Sequence, residues 1–547
     1  MKNQMKSKLF LYGTLLFFIT LKAQNTVGTI TNAPGTFNGY TLYAPAGHTE
    51  TYLINNCGEI VNQWTSDVAP GNAVYLLKNG NLLRAGRVSN ADINFGGVGG
   101  KVELFDWDGN LLWDFTYSTT TVSQHHDVFP MPNGNILMLA VTTMTEAEAI
   151  QAGRNPSDLT QGKLFNEQIL ELEPTGLNTA NVVWEWNVKD HLIQDLDPSK
   201  DNHGIVENNP QLLDINFLGN SAGNANWLHF NSIQYDERLD QIVISSRLLS
   251  ELYIIDHSTT TAEAASSTGG NRGKGGDFLY RWGNPQAYKR GTADDQKLFG
   301  QHYPHFIPDG LDDARKIILF NNGFNRVPSV SQIDIITPPE DSEGVYSYTT
   351  GTAYGPTNTD YTYKSAVETD FYSRILSSAQ RLPNGNTLIC DGDDGYFFEI
   401  TPNEEIVWEY INPVTPNGIL SQGDDSTASP NLTFRVLRYA ADYPAFDGRT
   451  LTPGAAVEQN PDLTGCLILS TPESELTDLK IISDPLKNLI SITGNASLNK
   501  VEIYSTLGQL IQTTKKRNID FSNQHSGLYI LKLYSNNKIT TTKVLKK

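Results

Sequence analysis

The sequence predicts an all-β chain: a six-bladed β-propeller followed by a small C-terminal β-sandwich. Three observations carry that prediction. Asn-Gly turns flanked by alternating apolar residues recur at LLKNGNLLRAG (76–86), MPNGNILMLA (131–140) and LPNGNTLICDG (382–392). Such a turn is a strong hairpin signal, and its type I′ form needs positive φ at both central residues. Strands that end on an aromatic recur at GEIVNQW (58–64), GNLLWDF (109–115), NVVWEW (181–186), FLYRW (278–282) and EEIVWEY (404–410). Finally, 45 Gly, 26 Pro and 10% aromatics make a turn-rich composition that suits strands rather than helices.

A small hairpin-built sheet cannot bury its faces alone, whereas radial packing of several can. A sixth aromatic strand lies in VYSYTTGTAYGPTNTDYTY (345–363), so six blades are expected over residues 25–445. The insertions 187–226 and 258–276 read as surface loops. After Tyr410 the chain turns irregular. FRVLRYAADYP (434–444) lies in this irregular segment, where the propeller is expected to end, and residues 446–474 read as a linker. Residues 475–547 return to short alternating runs, with turns at Asp484-Pro485, Leu507-Gly508 and Ser526-Gly527, which is the pattern of a small sandwich.

The N-terminus reads as an export signal over residues 1–23. Lys2, Lys6 and Lys8 precede the apolar run LFLYGTLLFFITL, and Ala23 offers a small residue near a cleavage point. That run is short for a membrane span, and no second one follows. The formal net charge of −20 is spread along the chain, which argues against a nucleic-acid partner. Cys57 and Cys466 could pair in an oxidising compartment, while Cys390, in the strand-like TLIC, reads as a buried small hydrophobe.

Chemistry in a propeller gathers where several blades offer polar strand ends. Three clusters stand out: His125-His126-Asp127; the hairpin WLHFNSIQYDERLDQIVISSR (227–247), with His229, Asn231 and Arg247; and GQHYPHF, with Gln301, His302 and His305. On a strand, His229 and Asn231 would share a face. Zinc or iron could draw ligands from separate blades, yet no compact spacing such as HExxH occurs. DGDDG (391–395) lacks the regular spacing of a calcium loop and reads as a solvated turn. No metal and no cofactor is expected. Arg247, Asn231 and several imidazoles form a donor-rich, carboxylate-poor set that suits a tetrahedral anion, phosphate or sulfate. A neutral imidazole can attack such a centre. No Walker-type loop is present to hold a nucleotide, so the donor would be a simple ester.

The order HHD…PNGN, LHFNSIQYD…IVISSR, GQHYPHF…LFNNG and SSAQRLPNGNTL resembles the arylsulfotransferase family. The resemblance implies an exported propeller enzyme that moves a sulfuryl group from an aryl sulfate to a phenolic acceptor through a sulfohistidine. The position matching the nucleophile is His302. His229, Asn231 and Arg247 match residues that hold the sulfuryl oxygens, and His126, or its neighbour His125, matches a further channel histidine. GQHYPHF carries a second candidate nucleophile, His305. The family's later hydroxyl falls near Tyr372, Ser373 and Ser378. Residues 475–547 resemble the type A sorting domain of the type IX secretion system. That implies passage through this machinery, with the tail removed on export. The alternative is a non-catalytic surface propeller that binds anionic or sulfated ligands.

Overall fold

A computed structural model describes residues 25–219, 225–464, 466 and 480–546, apart from 485–488, 495–497, 506–509, 523, 525–526 and 536–537. The expected export signal lies outside the described residues. The chain is all-β, with only two short α-helices, Glu146–Gln151 and Thr261–Ala264, among its described elements. It divides into two compact units, residues 1–466 and 467–547.

The first unit contains six antiparallel sheets of four or five strands. Each has one strand that touches its counterparts in the neighbouring sheets. These inner strands are β1 (Pro70–Leu76), β2 (Val122–Pro130), β3 (Phe230–Asp236), β4 (His302–Phe306), β5 (Ser378–Arg381) and β6 (Thr433–Ala440). Contacts run β1 to β2, β2 to β3 and so on to β6, which touches β1 again. Three further strands extend outward in each sheet. In the first they are Leu82–Arg87, Gly100–Phe105 and Leu111–Thr116.

The sixth sheet joins the two ends of the unit. β6 pairs with Gly39–Pro45, followed by Glu50–Ile54 and Ile60–Thr65. FRVLRYA, read from the sequence as part of the irregular end of the propeller, is thus an inner strand, and its partner lies almost the whole unit away in sequence. Gly28–Asn32 adds a fifth strand outside Ile406–Ile411 of the fifth sheet. Part of the segment read as a linker packs on this unit: Ala456 and Val457 are buried, Glu59 bridges Ala456, and Cys57 bonds Cys466. Cys390 is free and buried.

The Asn-Gly turns form hairpins, but not in the type I′ geometry expected. Gly80, Gly134 and Gly385 have φ of 91°, 90° and 85°, while the asparagines before them do not enter the positive-φ region. Gly80 N donates to Leu77 O and Leu77 N to Asn81 O, the pattern of a type I turn followed by a glycine bulge. Each asparagine turns its Oδ1 onto the amide two residues on, at 3.0, 2.9 and 3.1 Å. That Asx contact holds asparagine in the right-handed region and leaves positive φ to glycine alone.

Buried ion pairs recur between strands of the first unit. Arg84 pairs with Glu103, Arg281 with Glu251, and Arg438 of β6 with Glu399 of the fifth sheet. In each, both side chains are at most 2% exposed. The second unit holds two sheets. One contains Lys480–Asp484, Leu489–Thr493 and Asn518–Asp520; the other contains Leu510–Thr514, Lys500–Ser505, Gly527–Ser535 and Lys538–Lys546. One apolar cluster draws Ile490, Ile492 and Ile519 from the first and Val501, Ile503 and Leu531 from the second.

Removing one partner of a buried pair strands the other charge. Arg281→Met should therefore destabilise the protein by about 3–5 kcal/mol, and adding Glu251→Met should restore most of that loss. Chemical denaturation of the single and double variants measures both. A double variant no more stable than the single one would count against this account.

Candidate active site

A local break in the inner strands builds the site. Non-glycine residues take left-handed φ near the amino-terminal ends of β1 to β5: Asn72 (101°), His126 (48°), His229 (51°), Tyr303 (55°), and Leu376 and Ser377 (61° and 90°). The pairing register slips at the same places, between Pro70 and Val74, opposite 124–128, between Phe230 and Ser232, and between His302 and His305. Each bulge costs of order 1–3 kcal/mol and re-aims side chains that simple alternation would send elsewhere. The two-residue rule for His229 and Asn231 therefore does not apply, because His229 sits before the strand and the slip lies between them.

Three imidazoles meet at this end. His126 and His229 pack edge to face with ring centroids 4.7 Å apart, and His125 Nδ1 lies 2.9 Å from His126 Nδ1. Phe95 touches all three rings. Gly97, at φ 86°, has to be glycine, since a Cβ there would come within 2.1 Å of His126 Nε2. His125 Nε2 is 2.9 Å from Glu167 Oε2 without the alignment of a hydrogen bond; Glu167 Oε1 accepts from Phe230 N at 2.9 Å. His229 Nδ1 accepts from Asn226 Nδ2 at 2.7 Å, which leaves its Nε2 to carry the proton. Burial holds His126 and His229 well below the usual imidazole pKa. The neighbouring imidazoles and Arg247 lower both further.

His302, the first residue of β4, has a fixed tautomer. Both amide hydrogens of Asn322 are committed, to Ser373 O at 2.9 Å and Leu376 O at 3.0 Å. Its Oδ1 therefore faces His302 Nδ1 at 2.7 Å and can only accept. The proton stays on Nδ1 and Nε2 keeps its lone pair. Burial lowers the His302 pKa to about 3, with the Asn322 hydrogen bond opposing and Arg247 and Arg435 adding, so the ring is neutral at pH 7.

Arg247 leaves the second strand of its sheet just after Ser246 and lies over the Phe324 ring at 4.5 Å. Among the described residues it forms no ion pair, and its Nε has no hydrogen-bond partner. Asn231 is fully buried; its Nδ2 donates to Gln301 O at 2.8 Å and its Oδ1 is unpartnered. Gln301 is a brace rather than a site residue, as its Nε2 donates to Ser245 Oγ, Ser246 O and Glu251 O.

His305 is separated from this group. It follows the bulge, its Nδ1 donates to Tyr303 O at 3.1 Å, and it lines a different cavity. Arg435, stacked 3.8 Å from the Tyr303 ring and paired with Asp127, acts electrostatically on both His302 and His305. Tyr372 is half-buried and within electrostatic reach of Arg247. Ser373 anchors Asn322 through its carbonyl, whereas Ser378 Oγ accepts from Val436 N and ties two inner strands. Among the described residues no group of three or more His, Cys, Asp or Glu is arranged for a metal ion.

Sequence reading missed Asn322, Asn226, Glu167 and Arg374. Arg374 carries a charge close to Arg247 and pairs with Asp393 at 3.6 Å. The pair Asn321-Asn322 after a β-strand was visible, but nothing local tells which asparagine faces the ring.

Comparison with known proteins adds to this geometry. The "Secretion system C-terminal sorting domain" model matches residues 481–547, and this tail of the type IX system marks the protein for the cell surface or the outside. A protein of unknown function from Bacteroides caccae is similar at 11% identity and TM-score 0.39, over 73% of this chain and 98% of that one. The periplasmic gluconolactonase of Pseudomonas aeruginosa is similar at 8% identity and TM-score 0.34, over 93% and 99%. No curated protein matches the chain. The "Arylsulfotransferase (ASST)" model matches residues 42–432, most of the first unit, and the chain belongs to the arylsulfotransferase family.

Proposed function

We propose that the protein is an exported aryl-sulfate sulfotransferase that works through a sulfohistidine and needs no nucleotide donor. The six sheets of residues 25–445 are read as blades of one propeller and the two tail sheets as a small sandwich. Residues 1–23 are read as an export signal, removed before the mature protein acts. The observation that carries the reading is the His302–Asn322 contact, which leaves an unprotonated, uncharged Nε2 beside an arginine with no carboxylate partner.

In the first half-reaction, the His302 Nε2 lone pair attacks sulfur. The bond from sulfur to the aryl oxygen breaks, and the phenolate leaves with its electron pair. Arg247 and the Nε2–H of His229 face the sulfuryl oxygens as their charge redistributes, and Asn231 and Gln301 keep that wall rigid. The positive charge that develops on the ring is spread to Nδ1–H, which donates to Asn322. In the second half-reaction a phenol oxygen attacks sulfur, the nitrogen–sulfur bond breaks, and the pair returns to Nε2. The phenol proton passes to His126 or His229, both neutral and within the same cluster, or to solvent. A phenolic leaving group, with a conjugate acid of pKa about 10, needs little protonation to depart.

The direct test mixes a chromogenic aryl sulfate with the protein, with and without phenol, in EDTA. Phenol-stimulated release should vanish in His302→Ala and persist in His305→Ala. Release by His302→Ala at the wild-type rate would move the nucleophile elsewhere. No release by the wild type would favour a propeller that only binds anions. Asn322→Leu should slow release about 10- to 100-fold, since losing a hydrogen bond to a buried partner costs ~1–3 kcal/mol.

The pH dependence follows from the same contact. The folded His302 pKa, about 3, lies below the unfolded value of about 6.5. Between these values the unfolded chain binds the extra proton, so this contribution to stability is complete above pH 6.5 and is lost as pH falls towards 3. The burst of phenolate in the first turnover should be flat from about pH 5 upward. Thermal melts at pH 7 and pH 5 should differ less for His302→Gln than for the wild type; an equal difference would mean His302 is not the neutral, buried group described.

A further inference from the structure

A second cavity lies at the other end of the same channel. The histidine cluster is built from the amino-terminal ends of the inner strands. This cavity, of about 440 Å³, is lined by residues from their carboxyl-terminal ends: Tyr75 of β1, Phe129 of β2, Tyr235 of β3, His305 of β4, Arg381 of β5 and Tyr439 of β6. It shares no lining residue with the cluster, and Arg435 acts electrostatically on both His302 and His305. Its size falls within the range of small-molecule sites.

The wall is aromatic and its charges are matched. Arg381 pairs with Asp313 at 2.8 Å, Arg438 with Glu399 at 2.5 Å, and Asp236 with Arg238 at 3.7 Å. Nothing here resembles the unpaired Arg247 of the opposite end. The hydroxyls of four lining tyrosines are occupied: Tyr235 donates to Asp240, Tyr75 contacts Gln234 and Arg435, Tyr439 accepts from Leu76 N and Tyr443 donates to Leu76 O. His305 Nε2 and the Tyr303 hydroxyl are the open polar atoms, and of the two His305 Nε2 is the one that can only accept. Because Nδ1 donates to a carbonyl, Nε2 is an acceptor, and burial pushes the ring pKa down to about 4, so it stays uncharged.

We propose that this cavity is a second, non-catalytic binding site for an uncharged phenol, whose ring packs among the aromatic side chains and whose hydroxyl donates to His305 Nε2. Aromatic walls give area and offset stacking, and a single acceptor selects one donor. The matched charges offer no excess cation to a sulfate ester. The proposal concerns binding alone and stands whether or not His302 transfers a sulfuryl group.

The test uses the full chain and 2-naphthol, followed by its own fluorescence, with 2-methoxynaphthalene and 2-naphthyl sulfate as comparison probes. Titration of the wild type should contain a component that His305→Phe weakens about tenfold, the loss of one hydrogen bond. Leu311→Trp, which fills the cavity, should abolish it, and His305→Gln, which keeps an acceptor, should retain most of it. Turnover of an aryl sulfate at low phenol should be the same in all three variants, which also shows that they fold. Three results would each overturn the proposal: 2-naphthol binding unchanged by both His305→Phe and Leu311→Trp, 2-methoxynaphthalene binding the component as tightly as 2-naphthol, or 2-naphthyl sulfate competing for it.

Discussion

The ion pair between Asp127 and Arg435 holds the axis of the first unit together. Arg435 Nη2 lies 2.8 Å from Asp127 Oδ2, and Nη1 lies 3.3 Å from Oδ1, joining β2 to β6. The same carboxylate accepts from Ile233 N and Gln234 Nε2 of β3, while the guanidinium bonds Tyr75 of β1 and stacks on Tyr303 of β4. Five of the six inner strands thus meet at one pair of charges. Burial pushes the Asp127 carboxyl up, and Arg435 pulls it back; with a two-pronged arginine and two further donors, the ionised form is the one that satisfies every group present. A lone charge here would be intolerable, so the pair sets how far apart the inner strands can stand.

Arg435 is within electrostatic reach of both His302 and His305, and the surroundings of the two rings differ. On one side three imidazoles and His302 face an arginine that no carboxylate neutralises. Burial and like charge keep His126, His229 and His302 unprotonated, so positive charge is concentrated on Arg247. On the other side every arginine has an acid, and His305 offers a lone pair amid aromatic rings. His302 and His305 lie three positions apart on β4, on either side of a slip in register.

Much of this was legible in the sequence, and the failures have physical causes. Alternating apolar residues around Asn-Gly pairs and the aromatic strand ends located the hairpins, because those features are local. The conformation of the turns was misread, since the asparagine side chain satisfies the amide two residues on and removes the need for a left-handed asparagine. β6 was read as irregular chain because its partner, Gly39–Pro45, lies at the far end of the unit and no local pattern announces such a pairing. His229, Asn231, Arg247 and His302 were found as residue types, but their relation was not. Alternation predicts one face for His229 and Asn231, and a bulge has no signature beyond an unusual φ. Asn322 was invisible for a different reason: its role depends on two carbonyls, Ser373 and Leu376, reached only after the chain has passed through the fourth sheet.

The end of the first unit is tied into the unit's own sheets. Residues 454–459 do not wander as a linker. Gly454 N donates to Ile60 O, Ile60 N to Ala455 O, and Val457 N to Gly58 O, so the segment lies along the outer strand of the sixth sheet. Cys57 then fixes Cys466 across a sequence separation of 409 residues. The sixth sheet already joins the unit's two ends through β6, so this disulfide fastens an edge rather than closing an otherwise open ring. The tail has its own apolar cluster, from Ile490 to Val544, and contributes no strand to the six sheets. Cleavage between Cys466 and Lys480 would leave the six sheets, the disulfide and the histidine cluster intact. His126, His229, Arg247 and His302 all lie in the first unit.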